Sequence, residues 1–481
     1  MQTPTTVPTE HTAAASRQRP RTRIAVFAVF AALTAASVLA CAAALAFAYP
    51  QYAPPAVGDL VETLTGANPH PVSLRRPQTA PLSAMAMLGK RIFFDPTLSA
   101  SGRLSCASCH SPEHAYGPPN ALPVQFGGAS MTLQGVRPPP SLMYLYRQPN
   151  FSIGPSQADA DEPANVAQAA QQASGAARSQ KQAGAAPAAA EMVPQGGMFW
   201  DGRADTLQAQ AFGPLLNPVE MANASEDAAA EKIAKSAYRD DFARLFGANV
   251  FNDKRLLLSE AMFAVARYQV EDPSFHPYSS KYDYWLEGKA HLTRAEIRGL
   301  RIFNDPQKAN CAGCHLSQPS KDGQPPMFTD FEYEALGVPR NRHLSVNRNS
   351  GYYDMGLCGP YRTDLASQTQ YCGMFLTPSL RNAATRKAFF HNGVYGTLEQ
   401  VIAFYNERDL APGKIYPRDA RGKVEQYDDL PARYHGNIDK ADAPFDRKPG
   451  DPLAMTEADI ADLVAFLHTL TDGYRPASDK R

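Results

Sequence analysis

Neither sign of charge predominates in this chain: 47 Lys and Arg are offset by 47 Asp and Glu over 481 residues. That balance removes the usual electrostatic reason to expect nucleic acid as a partner, so recognition has to come from local features. Strand-like alternation is scarce and helical patterns recur, which places the chain in a mainly α class with long loops. Cysteine is sparse. Of seven residues, four fall in two short motifs, Cys41 lies in an apolar stretch, and Cys358 and Cys372 are left over. The last two sit in a loop rich in Gly, Asp and Tyr, where an oxidising compartment favours a disulfide; the alternative is two unrelated thiols.

One long apolar run is present. Residues Ile24 to Tyr49 carry no charge and follow the basic segment Arg17-Gln18-Arg19-Pro20-Arg21-Thr22-Arg23. The run is long enough for a single N-terminal transmembrane helix over 24–49, with the basic tail 1–23 in the cytoplasm and the remainder exported to the periplasm. A cleaved signal peptide is the rival reading, because Ala46-Phe47-Ala48 resembles a small-x-small cleavage site. Residues 50–77 are Pro-rich and aperiodic, which reads as a linker. Two domains are expected after it, over 78–285 and 286–475. Within the first, residues 155–195 are dominated by Ala, Gln, Ser and Pro; they hold too little large apolar surface to offset the entropy of ordering, and read as a mobile insertion.

The two cysteine motifs are Cys106-Ala-Ser-Cys109-His110 and Cys311-Ala-Gly-Cys314-His315. Covalent attachment of haem needs two thiols at a spacing that reaches both vinyl groups, and a histidine directly after them to turn onto the iron. A zinc site is the alternative, but its cysteine pairs normally lie some tens of residues apart, whereas these lie in opposite halves of the chain. Two haem c groups are therefore expected, with His110 and His315 as iron ligands. The approaches are alike: Leu88-Gly89-Lys90-Arg91-Ile92-Phe93-Phe94-Asp95-Pro96 precedes the first motif and Gly299-Leu300-Arg301-Ile302-Phe303-Asn304-Asp305-Pro306 the second. This weak repeat, with Thr293 as N-cap of the second helix, points to two cytochrome c-like haem domains. A sixth strong ligand would make either haem an electron-transfer centre; an open position beneath polar groups would make it a site for oxygen or peroxide chemistry.

Further motifs give the chain a family resemblance over residues 84–475. Phe199-Trp200-Asp201-Gly202-Arg203-Ala204, Asn217-Pro218-Val219-Glu220-Met221, Thr377-Pro378-Ser379-Leu380-Arg381-Asn382 and Phe390-His391-Asn392-Gly393 followed by Thr397-Leu398-Glu399 resemble the bacterial di-haem cytochrome c peroxidases, and within them the MauG-like branch. The resemblance implies that Trp200 lies between the haems and that Gln210 and Glu220 stand over the N-terminal haem, with Pro214 lining the pocket. A carboxylate there suits peroxide cleavage, which needs a proton carried from one oxygen to the other. The bland readings are a core tryptophan and a solvated or capping glutamate.

Three departures from the family pattern matter. The usual histidine about sixteen residues after the first motif is replaced by Phe126, and His114 is too near His110 to arch over the opposite face, so the N-terminal haem is expected to be permanently open. The methionine expected fourteen residues after the histidine of the Phe-His-x-Gly motif is replaced by Tyr405, the ligand typical of MauG-like proteins. Thr397 with Gln400 forms a capping box, and Leu398, Val401, Ile402 and Tyr405 share one helix face. Met374 is the rival ligand, and a core tyrosine the bland alternative. An anionic oxygen ligand would give that haem a low potential. Finally, the family often binds calcium between the domains through an asparagine, where this chain has Arg137-Pro138-Pro139-Pro140; calcium is doubtful, although carbonyls near Arg386 and Ala388 could still hold it.

These readings converge on a membrane-tethered, periplasmic di-haem peroxidase. It would use hydrogen peroxide and a small electron-donor protein or reductant. Oxidative maturation of a partner protein uses the same chemistry, and a non-enzymatic electron carrier is the third reading, requiring both irons to be six-coordinate.

Overall fold

Helices begin where the sequence supplies an oxygen to cap their free amide groups. In the computed structural model, which describes residues 55–156 and 192–476, they are α1 (Pro55–Thr65), α2 (Ala84–Phe93), α3 (Cys106–Cys109), α4 (Leu207–Leu216), α5 (Glu226–Ala234), α6 (Arg239–Phe246), α7 (Lys254–Glu271), α8 (Lys281–Leu286), α9 (Arg294–Asn304), α10 (Cys311–Cys314), α11 (Leu398–Glu407), α12 (Pro412–Ile415) and α13 (Glu457–His468). Ser83, Thr206, Ser225 and Asp253 cap α2, α4, α5 and α7. Capping boxes open α8, α9, α11 and α13, among them the expected Thr293 with Glu296 and Thr397 with Gln400.

The mainly α expectation holds. Among the described residues, apart from isolated bridges, strands form three two-stranded antiparallel ladders: β1 (Phe126–Gly127) with β2 (Leu133–Gln134), β3 (Ser152–Pro155) with β4 (Met192–Gln195), and β5 (Tyr333–Glu334) with β6 (Phe375–Leu376). Pairing of β3 with β4 joins the two ends of the low-complexity insertion, most of which lies outside the described residues, as do the apolar segment 24–49 and Cys41. Among the described residues, no helix is long and apolar enough to cross a membrane. Cys358 and Cys372 form the expected disulfide, with Cα atoms 5.0 Å apart.

The sequence repeat has a packing cause. In each half, the helix ahead of the cysteine motif lies against a long partner, α2 on α7 and α9 on α13. Gly89 and Gly299 sit at these crossings; a Cβ would fall 1.8 Å from the Ala264 carbonyl oxygen in the first and 2.0 Å from that of Asp462 in the second. Only glycine lets the backbones approach so closely. Four residues on, Phe93 and Phe303 are buried, the one against Tyr116, Tyr268 and Phe275, the other against Phe328 and Phe466.

Two hydrophobic cores result. One runs from Leu88 to Tyr278 with Met327 added, and the other from Tyr282 to Leu470 with Leu74 added. The changeover falls a few residues ahead of the expected 285/286 division. The linker reading of 50–77 needs correction, because α1 and the chain after it dock on the second half. Trp285 Nε1 and the Leu292 amide both donate to the Gly66 carbonyl, at 3.0 and 2.9 Å. Asn68 donates to the Leu286 carbonyl at 3.1 Å, and Arg76 pairs with both oxygens of Glu287 at 2.6 and 3.0 Å. This segment is held by bonds to distant residues rather than by a periodic apolar face, so periodicity could not reveal it.

Candidate active site: two cavities with unlike far walls

α3 and α10 are single turns that place two thiols and a following histidine together. His110 Nδ1 lies 3.1 Å from the Tyr116 carbonyl oxygen, and His315 Nδ1 lies 2.9 Å from that of Phe328. A ring nitrogen donating to a carbonyl carries the proton, which leaves Nε2 in the form that binds a metal. Burial pushes both imidazoles down to about 4, so they are neutral near pH 7. Among the described residues, the four motif cysteines are the ones outside the disulfide, and burial pushes the thiols of Cys106, Cys109 and Cys311 up to about 12.

Each motif opens onto a cavity. The larger, of about 300 Å³, is lined by Cys311, Cys314, His315 and the α11 face Leu398, Val401, Ile402 and Tyr405. The smaller, of about 140 Å³, is lined by Cys106, Cys109, His110, Pro214 and Glu220. Trp200 and Gln210 contribute to the walls of both. Two thiols and a neutral imidazole on a largely apolar cavity are the attachment set of a c-type haem, and the residues present fit that group twice.

In the smaller cavity, α4 and the turn after it bring the polar residues together. Gln210 is buried on α4. The helix stops at Asn217, whose carbonyl accepts the Glu220 amide at 3.0 Å while its side-chain amide donates to Glu220 Oε1 at 2.6 Å. From behind, the Gly128 amide donates to the Glu220 carbonyl at 2.8 Å. β1 passes so near that a Cβ on Gly127 would lie 2.3 Å from the Val219 carbonyl oxygen. Burial raises the Glu220 carboxyl above its ordinary range, opposed by the positive charge of Arg203 and the Asn217 hydrogen bond. Among the described residues His110 is the one histidine in this wall, and Phe126 lies in it with its side chain partly exposed. His114 lines the larger cavity instead.

In the larger cavity, Tyr405 stacks on Phe445 with ring centroids 5.2 Å apart, and burial raises its phenol well above the ordinary value. Met374 is not among the lining residues; it packs with Tyr333, Leu357, Leu365 and Tyr371 under the disulfide loop.

Between the cavities, the segment Arg137-Pro138-Pro139-Pro140 offers carbonyls in succession, two of them aimed at site residues. The Pro138 carbonyl accepts Trp200 Nε1 at 3.1 Å, and the Pro140 carbonyl lies on the His110 ring. Arg137 joins Asp201 at 2.8 Å to Asp354 at 2.7 Å, all three buried. The carbonyls of Pro139 and Ala388, which a calcium ion here would need, accept from the Arg386 guanidinium at 3.3 and 3.4 Å.

Paired attachment motifs in two helical halves define a di-haem c-type cytochrome, and comparison with known proteins specifies it further. The profile of the di-haem cytochrome c peroxidase family matches residues 83–291. The methylamine utilization protein MauG of Paracoccus denitrificans (strain Pd 1222) is 32% identical over 399 residues, covering 81% of this chain and 89% of that one. Cytochrome c551 peroxidase of Nitrosomonas europaea is 29% identical over 323 residues, covering 66% and 71%. The crystal structure of the diheme peroxidase BthA from Burkholderia thailandensis E264 superposes with a TM-score of 0.68 at 37% identity, covering 83% of this chain and 89% of that chain. This chain belongs to the di-haem cytochrome c peroxidase family, and it is an oxidoreductase that uses peroxide.

Sequence reasoning missed several wall residues. Arg203 and Asn217 stood inside quoted motifs without a role. Tyr361 joins the smaller cavity from the disulfide loop, and Arg386 lies in the wall of the larger one. For Tyr361 no local signal existed, since contact arises only when the two halves meet.

Proposed function

We propose that hydrogen peroxide is reduced in the cavity of His110, with two electrons from an external donor entering through the cavity of His315, two protons taken up from solvent and two water molecules as product. The observation behind this is the joint presence of Gln210, Pro214 and Glu220 in a wall where His110 is the one histidine among the described residues. Haem c in each cavity would supply an iron centre able to bind ligands and exchange electrons. Glu220 takes a proton from one peroxide oxygen and returns it to the departing one. Asn217 holds Oε1, which leaves Oε2 for the substrate, and the Arg203 charge keeps the ionised carboxylate accessible despite burial. Gln210 orients the peroxide through its amide.

Trp200 is proposed as the relay, since its indole stands in both walls. Tyr405 is proposed as the side chain that, with His315, would hold the iron of a haem in that cavity; its place in that wall, and the placing of Met374 elsewhere, support this. A division into two haem domains, proposed over about 78–285 and 286–475, is supported by the two cores, which change over between Tyr278 and Tyr282. We also propose periplasmic placement with a membrane tether at 24–49, supported by the basic and apolar pattern of the sequence.

Oxidative maturation of a partner protein is a second reading, favoured by the 32% identity to MauG. Steady-state peroxide turnover with small reductants and reduced cytochromes, set against oxidation of candidate partner proteins, separates the two. A high-spin ferric signal from one of the two haems is expected. Two low-spin signals alone would make the chain an electron carrier and overturn both readings.

A further inference from the structure

Where an inter-domain calcium ion would need oxygen ligands, the chain places a guanidinium. Calcium takes roughly six to eight oxygens, with carboxylates among the preferred donors. Proline at position 138 supplies no side-chain amide. The nearby buried carboxylates, Asp201 and Asp354, are both paired with Arg137 at 2.7 to 2.8 Å. Pro139 can offer only its carbonyl, and that carbonyl accepts from Arg386 at 3.3 Å. The same guanidinium nitrogen donates at 3.4 Å to the carbonyl of Ala388, on the opposite half of the chain.

Arg386 therefore does what a bridging cation does. It joins a carbonyl from the segment after the first motif to one from the segment before α11. Its side chain also stands near the His110 ring, where its charge is felt, and in the wall of the larger cavity. We infer that Arg386 is a resident cation in place of calcium, fixing the junction of the two cavities so that their geometry does not depend on a metal ion. Loss of hydration lowers the Arg386 pKa to about 10, so the group is charged at neutral pH. A divalent ion at the same carbonyls would face this like charge, while Asp201 and Asp354 are already paired with Arg137.

The test uses the holoprotein, dialysed against EGTA and then titrated with calcium chloride. Elemental analysis should find no stoichiometric calcium, calorimetry should give no saturable heat, and the melting temperature and both haem midpoint potentials should be the same with and without calcium. Stoichiometric calcium surviving EGTA, or a melting temperature that rises with calcium, would overturn the inference. Arg386→Gln removes the charge and keeps an amide donor; it should lower the melting temperature and shift both midpoints downward, because a nearby positive charge disfavours oxidised iron. Arg386→Lys should restore part of the midpoint shift. Midpoints unchanged in Arg386→Gln would mean that the guanidinium does not act as a cation there. Should that variant fail to fold, calcium binding by the parent still decides.

Discussion

Behind each motif histidine the two halves are built alike. A glycine-packed helix pair, a buried phenylalanine and a carbonyl on Nδ1 recur, with a proline carbonyl beside the ring, Pro140 in one half and Pro378 in the other. On the far wall they part. The smaller cavity gathers Glu220, Arg203 and Asn217, whereas the larger presents the apolar α11 face and Tyr405. What is duplicated is the set of residues that would hold haem; what differs is whether a phenol or a carboxyl group stands in the cavity with it. Specialisation thus arises by changing one wall of a repeated frame.

The largest break in this comparison is expected from Glu220→Gln. It keeps the shape of the side chain and removes the proton carrier, so the peroxide reaction should slow by about two orders of magnitude or more, with haem content and melting temperature unchanged. In the parent, the rate should fall as pH drops through the raised carboxyl pKa, because protonated Glu220 cannot accept a proton. That acid limb should be absent in the variant. Peroxide kinetics equal to the parent's would remove Glu220 from the mechanism.

Tyr405→Met would make the larger cavity resemble that of methionine-ligated relatives. A phenolate favours ferric iron and a thioether favours ferrous, so the C-terminal haem midpoint should rise while covalent attachment at Cys311 and Cys314 persists. Redox titration and mass spectrometry of the intact chain read the two effects separately. Trp200→Phe should act on the connection alone, leaving peroxide binding intact while slowing electron exchange between the haems in stopped-flow spectra. If exchange is as fast as in the parent, Trp200 is core packing and nothing more.

Much of the repeated frame was legible in the sequence because local rules fix it: the cysteine spacing, the cap at Thr293 and the similar runs of residues ahead of the two motifs. The differing walls were less so. Glu220 and Tyr405 could be named only through motif spacing shared with relatives, while Tyr361 and Arg386 reach their places by contacts across the chain. Residues 55–76 were misread for the same reason, since their partners, Trp285, Leu286, Glu287 and Leu292, lie more than two hundred residues away in sequence.

Gly127→Ala probes how the smaller cavity's wall is held. The added methyl would meet the backbone of Val219 and Glu220, and overpacking of this kind typically costs about 1–3 kcal/mol. Thermal melts should register that loss, with a slower peroxide reaction as Glu220 is displaced. A variant as stable and as fast as the parent would show that β1 does not position the carboxylate.

The smallest effect is expected from Met374→Leu, and its smallness is what makes it informative. Met374 is the other side chain in the C-terminal half put forward as a haem ligand, and thioether ligation would leave a plain signature. In the structure its side chain packs with Tyr333, Leu357, Leu365 and Tyr371, away from the lining of the larger cavity. Leucine has nearly the same volume, and such a swap usually costs under about 1.5 kcal/mol. The C-terminal haem midpoint and its ferric spectrum should therefore match the parent's, with at most a slight drop in melting temperature. A fall in the midpoint together with a new high-spin signal would mean that a sulfur ligand had been lost, and Tyr405 would then be part of the packed wall rather than the group that sets the haem's potential.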